Sequence, residues 1–479
     1  MSGPKHVRES GNRLRHEDMR RTEDLKTDRL FSQIDFSGGA LVAVSGGSDS
    51  TALLLLLKQY LYKAFPAARL LAVTVDHALR PGSSAEAEAV GSLCARHGIS
   101  HRTVRWDGPK PAAGLPAAAR CARYRLLAQA ACAAGIGMIL TGHTADDQAE
   151  TVLMRRARMA GPDPDGHGPD DHGLAGMAPA TLYDGAVWIV RPLLATRRAA
   201  LRDWLAARGE GWTEDPTNEN LSFERPRMRA FLDGDGHAGF VQALAVAARA
   251  AETRIDLGRH AAALIGTHAA RPAAGLLRLD RAFLQEPDRQ AAVHALRILI
   301  AAAGGARFLP ERARAASLLA RLAGHPGRAP LRATLSHAVV DARAAGLFLH
   351  RERRGLLAAA MATDGAIWDG RYRIRLHGGA GCMVEAAGAS AAVAPMPEAG
   401  NAPASLVRAA RAAEPVLSAT EPAIHGEDAA AVPVVAPFAR FLSCFDLAPA
   451  RAVAAIVGAD AVPPPPFAGR IGPASWAKA

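Results

Sequence analysis

The sequence predicts an α/β fold built on a doubly wound parallel sheet, followed by a helical domain and a small C-terminal α+β domain. Early in the 479 residues, short aliphatic runs alternate with helical stretches. Strands that alternate with helices of this length run parallel, with helices on both faces of the sheet. Polar residues follow three of the strands, and ligands of such sheets bind beyond the carboxyl ends of the strands. We therefore expect a ligand site at one edge of this sheet.

The first predicted strand, residues 41–44, runs into the turn Ser-Gly-Gly-Ser-Asp-Ser and then into a helix over residues 51–58. Glycine lets the chain turn sharply and approach a phosphate closely. A helix start presents N–H groups and the positive end of its dipole to an anion, and a serine-capped helix alone explains the whole pattern poorly. The turn lacks the lysine of a Walker A loop. We call residues 45–50 the phosphate loop, in which Asp49 is suited to hold Mg²⁺.

The second and third predicted strands continue the alternation. Residues 69–75 form a strand that leads into Asp76 and His77, and a helix over residues 84–97 follows. Residues 100–106 are a third strand, and the helix after it carries arginines on one face. These arginines are suited to bind phosphate, although a solvated helix face explains them equally well.

The fourth predicted strand, residues 137–141, ends at Gly142 and His143 and is followed by the acids of Ala-Asp-Asp-Gln-Ala-Glu. In a helix, Asp146 and Glu150 share a face, as do Asp147 and Glu150. Acids at a helix N-terminus interact favourably with the dipole and suit a cationic substrate or a metal ion. Capping acids on a solvated helix are the alternative, but the position directly after a strand end favours a functional site.

The rest of the chain divides by composition. Residues 161–173 are a Gly/Pro/Asp/His-rich insertion with the pattern of a surface loop, and a strand over residues 187–194 carries Arg191. The predicted segments are a disordered basic leader at 1–34, a nucleotide-binding domain at 35–232, a helical domain at 233–350, and a small domain with Ala/Pro-rich loops at 351–479.

Composition and targeting signals narrow the class of protein. The net charge of +11 suits a polyanionic partner, although an arginine-rich composition also follows from genomic base composition. The five cysteines are scattered and form no Cys-x-x-Cys, which argues against a zinc knuckle or an iron–sulfur site. The sequence shows no apolar signal region and no run of about 20 apolar residues. We expect a cytoplasmic protein that does not bind a membrane.

Several short motifs occur in a fixed order, and together they resemble the tRNA(Ile)-lysidine synthetases, a family of PP-loop (N-type) ATP pyrophosphatases. The resemblance covers residues 41–229. The motifs are SGGSDS at 45–50, VDHALR at 75–80, AARCARYRLL at 118–127, TGHTADDQAET at 141–151, GLAGM at 173–177, VRPLL at 190–194 and WTEDPTN at 212–218.

The resemblance implies an adenine nucleotide alpha hydrolase-like fold and an AMP-forming ligase. Family members use ATP to adenylate the 2-carbonyl oxygen of the wobble cytidine in the CAU anticodon of tRNA(Ile). The ε-amine of L-lysine then displaces AMP and gives lysidine. The implied cofactors are ATP and Mg²⁺, the implied partners are tRNA(Ile) and L-lysine, and a homodimer is left open.

The resemblance also implies roles for individual residues. The catalytic residues it implies are Asp49, His143, Asp146, Asp147 and Glu150, with Asp49 also the metal ligand. The ATP-binding residues it implies are Ser45, Gly46, Gly47, Ser48, Asp49, Ser50, Asp76, His77 and Gly142. The tRNA-binding residues it implies are Arg120, Arg123, Arg191, Arg225, Arg227 and Arg229. A histidine at a strand end is, alternatively, a hydrogen-bonding loop residue.

The sequence departs from the family pattern in two places. After WTEDPTN the family usually has Arg-Asn-Arg-hydrophobic-Arg, whereas this chain has Arg225-Pro226-Arg227-Met228-Arg229. Proline removes a backbone donor and is expected to disfavour a helix at Arg225. The insertion at 161–173 also interrupts what is normally a compact turn before GLAGM, and we expect it to alter the substrate entrance rather than the phosphate chemistry.

Three other functions fit the sequence less well than an AMP-forming ligase. A tRNA thiolase of the same superfamily would adenylate a base and deliver sulfur, but such enzymes generally carry Cys-x-x-Cys motifs. Amidotransferase relatives would need ammonia delivery and different flanking motifs. A non-catalytic RNA-binding protein with a relic nucleotide fold has no reason to keep both the phosphate loop and the acids after the fourth strand.

Overall fold

The computed structural model of the protein contains two compact units. The first consists of residues 1–164, 171–252 and 464–479, and the second of residues 165–170 and 253–463. Predictions for residues 1–24 and for most of the 161–173 insertion lie outside the described residues. The described residues are 25–79, 82–159, 171–214, 224–234, 236–325, 329–377, 381–388, 402–419 and 429–467.

The first unit alternates strands and helices, as predicted. Its elements are α1 (Thr27–Phe31), β1 (Ala40–Ala43), α2 (Ser48–Ala64), β2 (Leu70–Asp76), α3 (Ser83–Arg96), β3 (Ser100–Arg105), α4 (Leu115–Ala133), β4 (Met138–Thr141), α5 (Ala145–Met159), β5 (Ala180–Tyr183), β6 (Val187–Val190), α6 (Arg198–Ala206), α7 (Glu224–Gly234) and the start of α8 (Gly236–His268).

The strands of the first unit lie in the order β5-β6-β4-β1-β2-β3. β1 pairs in parallel with β2 and β4, β2 with β3 and β4 with β6, whereas β5 runs antiparallel to β6. β1 and β4 are buried along their whole length, as expected for central strands covered on both faces. The predicted doubly wound parallel sheet is confirmed. The carboxyl ends of β1, β2 and β4 lie at one edge of it.

The end of the predicted leader is ordered. In α1, Phe31 is fully buried, and its ring lies 5.4 Å from that of Tyr60. Ile34 forms a β-bridge with Phe467, and the Asp35 amide donates to the Pro466 carbonyl over 3.1 Å. The disorder expected for residues 1–34 is therefore not found at residues 25–34. Apolar side chains of this otherwise charged segment are buried.

The second unit contains helices and antiparallel sheets. Its remaining elements are β7 (Ala269–Ala273), β8 (Leu276–Leu279), α9 (Arg289–Gly304), α10 (Arg312–Ala323), β9 (Leu331–Leu335), β10 (Ala338–Arg343), β11 (Gly346–Arg351), β12 (Ala360–Met361), β13 (Ile367–Trp368), β14 (Tyr372–Leu376), β15 (Cys382–Ala386), α11 (Ala404–Arg411), β16 (Pro415–Ala419), β17 (Ala429–Pro433), β18 (Phe441–Ser443) and α12 (Leu447–Val457).

The helical pattern expected up to residue 350 did not predict the sheet β7-β8-β11-β10-β9. Its apolar runs, such as those of β8 and β11, are short and lie in an alanine- and arginine-rich stretch that also suits helices. Gly275 (φ +69°) forms the turn before β8, and Leu276 and Phe348 are fully buried against α11. Tertiary burial, rather than local propensity, selects strands here.

A buried ion network joins β11 to the following small sheets inside the second unit. Asp369 accepts hydrogen bonds from Arg351 and Arg371, and Arg371 also donates to Glu414 over 2.8 Å. The predicted boundary at residue 350 falls within this unit. In the described part of the chain, no helix is both long and apolar enough to cross a bilayer.

Candidate active site

The phosphate loop is held in shape by its own serines. The Ser45 amide donates to Ser50 Oγ over 3.1 Å, and Ser50 Oγ donates to the Gly47 carbonyl over 3.1 Å. Gly46 adopts φ +86°, a conformation that other residues rarely take. The loop therefore closes onto the first turn of α2, whose free N–H groups form an anion site.

Gly142 brings the end of β4 against this loop. A Cβ atom at Gly142 would lie 2.9 Å from the carbonyl carbon and oxygen of Asp49 and from the Ser50 nitrogen. No side chain fits at that distance from backbone atoms. The glycine therefore sets the spacing between the phosphate loop and the acids that follow β4.

A second segment packs on the loop from the WTEDPTN motif. The Thr213 amide donates to the Gly46 carbonyl over 2.9 Å. Arg202, on α6, donates to Ser48 Oγ over 3.3 Å and pairs with Glu214 at 3.0 Å. Sequence reasoning missed Arg202, a cation that contacts the first residue of α2.

Arg198 brings together three of the predicted catalytic acids. Its Nε donates to Asp49 Oδ2 over 2.8 Å and its Nη2 to Asp147 Oδ1 over 3.0 Å. Its Nη1 lies 3.6 Å from Glu150 Oε1. We call Asp49, Asp147 and Glu150 the carboxylate cluster. Sequence reasoning missed Arg198, although a cation in the first turn of a helix opposes the dipole and suggests that acids lie nearby.

Asp146 faces a different group. Its Oδ2 accepts from the Arg198 amide over 2.7 Å, and its Oδ1 accepts from Arg197 Nε over 3.2 Å. A carboxylate that binds the first free N–H of a helix stabilises that helix end. The structure thus places Asp146 at the start of α6 rather than in the carboxylate cluster.

Glu150 is the most buried acid of the carboxylate cluster, with 1% of its side chain exposed. Its Oε1 accepts from Arg229 Nε over 3.0 Å. Its Oε2 is buried and has no hydrogen-bond partner among the described residues. Buried carboxylate oxygens are normally paired, so this atom is suited to accept a hydrogen bond from a cationic ligand.

Burial and pairing pull the pKa values of the cluster in different directions. Burial raises the pKa of Asp49 and of Glu150, and Arg198 opposes the shift in both. Burial would also raise the pKa of Asp147, but Arg198 and the Thr144 hydrogen bonds outweigh it and lower that pKa. The cluster also raises the pKa of Arg198, despite its burial. Arg198 therefore stays charged and keeps the acids close to one another.

His143 lies beside the cluster in the neutral form. Its Nδ1 is 2.9 Å from Thr141 Oγ1. Burial and the nearby Arg191 and Arg123 hold its pKa well below the usual range, against the opposite effect of Asp147. At neutral pH this ring is therefore a hydrogen-bonding group without charge.

Asp76 and His77 lie at the end of β2, as predicted. Asp76 accepts from the Ala78 amide over 2.8 Å and from Ser84 Oγ over 3.2 Å, and so shapes the turn into α3. The His77 ring packs edge-on against Trp106. Its buried Nδ1 has no partner among the described residues, which leaves a polar atom available for a nucleotide.

The predicted tRNA-binding arginines differ in exposure and in partners. Arg120, Arg225 and Arg227 are exposed. Arg191 is buried and donates to the Ala178 carbonyl over 2.7 Å, whereas Arg229 contacts Glu150. Arg123 is half-buried, and burial lowers its pKa.

The expectation that Pro226 disfavours a helix at Arg225 is wrong. Helix α7 runs from Glu224 to Gly234 and includes both residues. Pro226 falls in the first turn, where backbone N–H groups have no partner within the helix, so the missing donor costs nothing.

The carboxylate cluster has donors suited to a magnesium ion. Asp49 and Asp147 direct one oxygen each at a single cation, the Arg198 guanidinium, and carboxylate oxygens are the ligands that Mg²⁺ prefers. Among the described residues, no three His, Cys, Asp or Glu side chains form a complete metal-binding group. Any ion here would thus also need oxygens from water or from a substrate.

Comparisons with known proteins identify the family of this chain. Residues 19–233 match the family model of the PP-loop domain. The tRNA(Ile)-lysidine synthase of Mesorhizobium japonicum is 57% identical over 93% of this chain and 98% of its own length. The Brucella melitensis protein of the same name is 42% identical over 74% of this chain and 76% of its own.

Among solved structures, the U34-tRNA thiolase NcsA from Methanococcus maripaludis aligns with 50% of this chain and 79% of its own, at 18% identity and a TM-score of 0.36. That structural likeness is too weak to support a functional argument. The two sequence relatives are much closer, and they share one name. The chain belongs to the tRNA(Ile)-lysidine synthase family.

Proposed function

We propose that this protein ligates L-lysine to the wobble cytidine of the CAU anticodon of tRNA(Ile), through an adenylated cytidine, with release of pyrophosphate and AMP. The observation that carries the proposal is the carboxylate cluster lying against the phosphate loop, with Arg198 contacting Asp49 of the loop and Asp147 after β4. The phosphate loop is suited to bind a polyphosphate, and the carboxylate cluster is suited to bind a cation.

In the first step the cytidine oxygen attacks the α-phosphate of ATP and pyrophosphate leaves. The loop N–H groups and the α2 dipole stabilise the negative charge of the departing group. Because a carbonyl oxygen is a weak nucleophile, most of the rate comes from positioning and from this electrostatic stabilisation. A magnesium ion bound by Asp49 would supply further positive charge to the phosphates.

In the second step the lysine ε-amine attacks C2 of the cytidine, a C–N bond forms, and the C–O bond to AMP breaks. The ammonium must lose a proton before it attacks. We assign this role to Glu150, whose buried Oε2 is without a partner among the described residues. Its pKa is raised by burial and by Asp147, which makes this carboxylate a stronger base.

The tRNA is proposed to contact the exposed Arg120, Arg225 and Arg227 through its phosphates, since arginine binds phosphate in a bidentate manner. Arg229 would bind tRNA only by leaving Glu150. A catalytic role for Asp146 and a tRNA-binding role for Arg191 remain proposals. Asp146 already accepts a hydrogen bond from the Arg198 amide, and Arg191 already donates one to the Ala178 carbonyl. The cytoplasmic location and the homodimer also remain predictions.

The decisive experiment is the incorporation of labelled lysine into a tRNA(Ile) transcript with a CAU anticodon, with and without ATP. We expect ATP-dependent labelling that is lost when the wobble cytidine is replaced by uridine. The Asp49→Asn variant should lose adenylation and retain tRNA binding. Release of AMP without labelling would point to a different nucleophile, and the absence of both would favour a non-catalytic RNA-binding protein.

A further inference from the structure

Arg198 is the cation on which the carboxylate cluster converges. Its side chain is 15% exposed and forms ion pairs with Asp49, Asp147 and Glu150 at 2.8, 3.0 and 3.6 Å. A guanidinium has a planar fork of donors and can contact several carboxylates at once. One guanidinium thus provides a counter-charge for three buried acids.

The surroundings of the cluster supply one more strong cation. Arg229 contacts Glu150 from α7, and His143 is neutral. In the part of the chain that the structure describes, two guanidinium groups therefore pair with the three carboxylates, and the ion pairs of Asp49 and Asp147 are with Arg198. Loss of either guanidinium would leave buried charge uncompensated, which is costly.

Both oxygens of Asp49 are engaged. Oδ1 accepts from Ser48 Oγ over 3.1 Å, and Oδ2 accepts from Arg198 over 2.8 Å. A divalent cation beside Oδ2 would be strongly repelled by a guanidinium at that distance. A metal ion and Arg198 therefore compete for this atom.

The start of α6 does not need the Arg198 guanidinium. Asp146 already binds the backbone N–H of Arg198, and a cation in the first turn opposes the helix dipole. The neighbouring Arg197 pairs with Asp146 and packs over Phe240 at 3.8 Å, as an ordinary structural arginine does. The position of Arg198 is thus explained by the acids rather than by the helix.

We propose that Arg198 is the resident counter-ion of the carboxylate cluster, and that a divalent cation replaces it at Asp49 while Asp147 and Glu150 retain it. Arg198 is thus a positioning residue that makes metal binding without ATP unfavourable. This inference rests on the proposed function for the identity of the substrate, but its test measures binding of the metal alone.

The test is a titration of the full chain with Mn²⁺, followed by the paramagnetic resonance signal of the free ion. Replacing Arg198 by Gln should lower the Kd for Mn²⁺ by roughly tenfold, the order expected when one close positive charge is removed. Arg198→Lys should lower it by about threefold, since an ammonium is a point charge and does not bridge two carboxylates as the planar fork does. Arg208→Gln, which removes a charge from the far end of α6, should bind like the wild type.

The Asp49→Asn background identifies the atom involved. In the Asp49→Asn background, Arg198→Gln should give no gain in Mn²⁺ affinity, because Arg198 is proposed to oppose the metal ion at the Asp49 carboxylate, which this background lacks. An unchanged or weaker affinity in the folded Arg198 variants, or a gain that persists in Asp49→Asn, would overturn the proposal. If Arg198→Gln fails to fold, as judged by its melting curve, Arg198→Lys decides. If the wild type binds Mn²⁺ but incorporates no lysine, the proposed function fails and the counter-ion proposal is judged separately.

Discussion

Replacing Gly142 by Ala should separate the end of β4 from the phosphate loop. The added Cβ would lie 2.9 Å from three backbone atoms of Asp49 and Ser50, whereas relaxed carbon contacts lie at about 3.5–4.0 Å. Backbone atoms cannot rotate away as a side chain can, so α2 must shift by roughly half an ångström. Overpacking of this kind costs about 1–3 kcal/mol.

Gly137→Ala is the matched control, because it lies just before β4 and a Cβ there meets no atom within 4 Å. Loss of glycine freedom in the unfolded chain should stabilise this variant by about 0.4–1 kcal/mol. The same gain is present in Gly142→Ala. The difference between the two variants therefore isolates the clash, at about 1–3 kcal/mol.

The assay is thermal and urea unfolding of both variants, with and without ATP. We expect Gly142→Ala to melt lower by roughly 2–4 °C per kcal/mol and to lose most of the rise in Tm that ATP causes, because the phosphate loop has moved. Gly137→Ala should keep that rise. Equal stability and equal ATP stabilisation in the two variants would refute the argument that the Gly142 contact sets the geometry of the loop.

Three further predictions address charge. Arg227→Glu should weaken tRNA binding and reduce the slope of log K against log salt by about one, as measured by filter binding at several salt concentrations, because an exposed phosphate contact is lost. His143→Asn should flatten the loss of stability on acidification: the folded pKa of His143 is depressed, so the unfolded chain takes up the extra proton as pH falls below about 6.5, at up to ~1.4 kcal/mol per pH unit. Urea titrations between pH 7 and 5 measure this. Asp341→Asn should destabilise the second unit by about 1–3 kcal/mol in calorimetry, since this buried carboxylate accepts from both Arg332 and Arg343.

A specific result would contradict each of the three predictions for Arg227, His143 and Asp341. If Arg227→Glu changed only the rate of adenylation, the proposed tRNA contact on α7 would be wrong, and Arg208→Glu controls for net charge. A pH profile identical to the wild type in His143→Asn would mean that this ring has the same pKa in the folded and the unfolded chain. An unchanged melting curve for Asp341→Asn would show that the two arginines turn to water at no cost.

The sequence predicts the central sheet and the phosphate loop well, because both are local patterns. β1 is a short apolar run and β4 is apolar up to its last residue, Thr141, and each is followed by a glycine-containing turn that only a few conformations satisfy. The spacing of Asp147 and Glu150 predicts correctly that the two side chains lie near each other. Local spacing does not predict that Asp146, one residue earlier, faces the start of another helix.

The residues that sequence reasoning missed act through partners far away in the chain. Arg198 contacts Asp49, and Arg202 contacts Ser48, across most of the first unit, and neither pair leaves a local pattern. The family resemblance implies that Arg229 binds tRNA, whereas the fold directs its side chain at Glu150. The sheet of the second unit was missed for a related reason: burial of Leu276 and Phe348 selects strands in a composition that also suits helices.

The bridge between Ile34 and Phe467 has a consequence for how the protein is made. The two residues belong to the same compact unit but are separated by nearly the whole chain. At roughly 5–20 residues per second, a ribosome releases the first strands many seconds before Phe467 exists, so this part of the nucleotide-binding unit waits until the entire second unit has been synthesised. Because the entropy of closing a loop grows only slowly with its length, the long interval delays this contact but adds little to its thermodynamic cost. A shortened gene that stops before residue 464 would therefore yield a first unit with Ile34 unpaired, however well the rest of it folds.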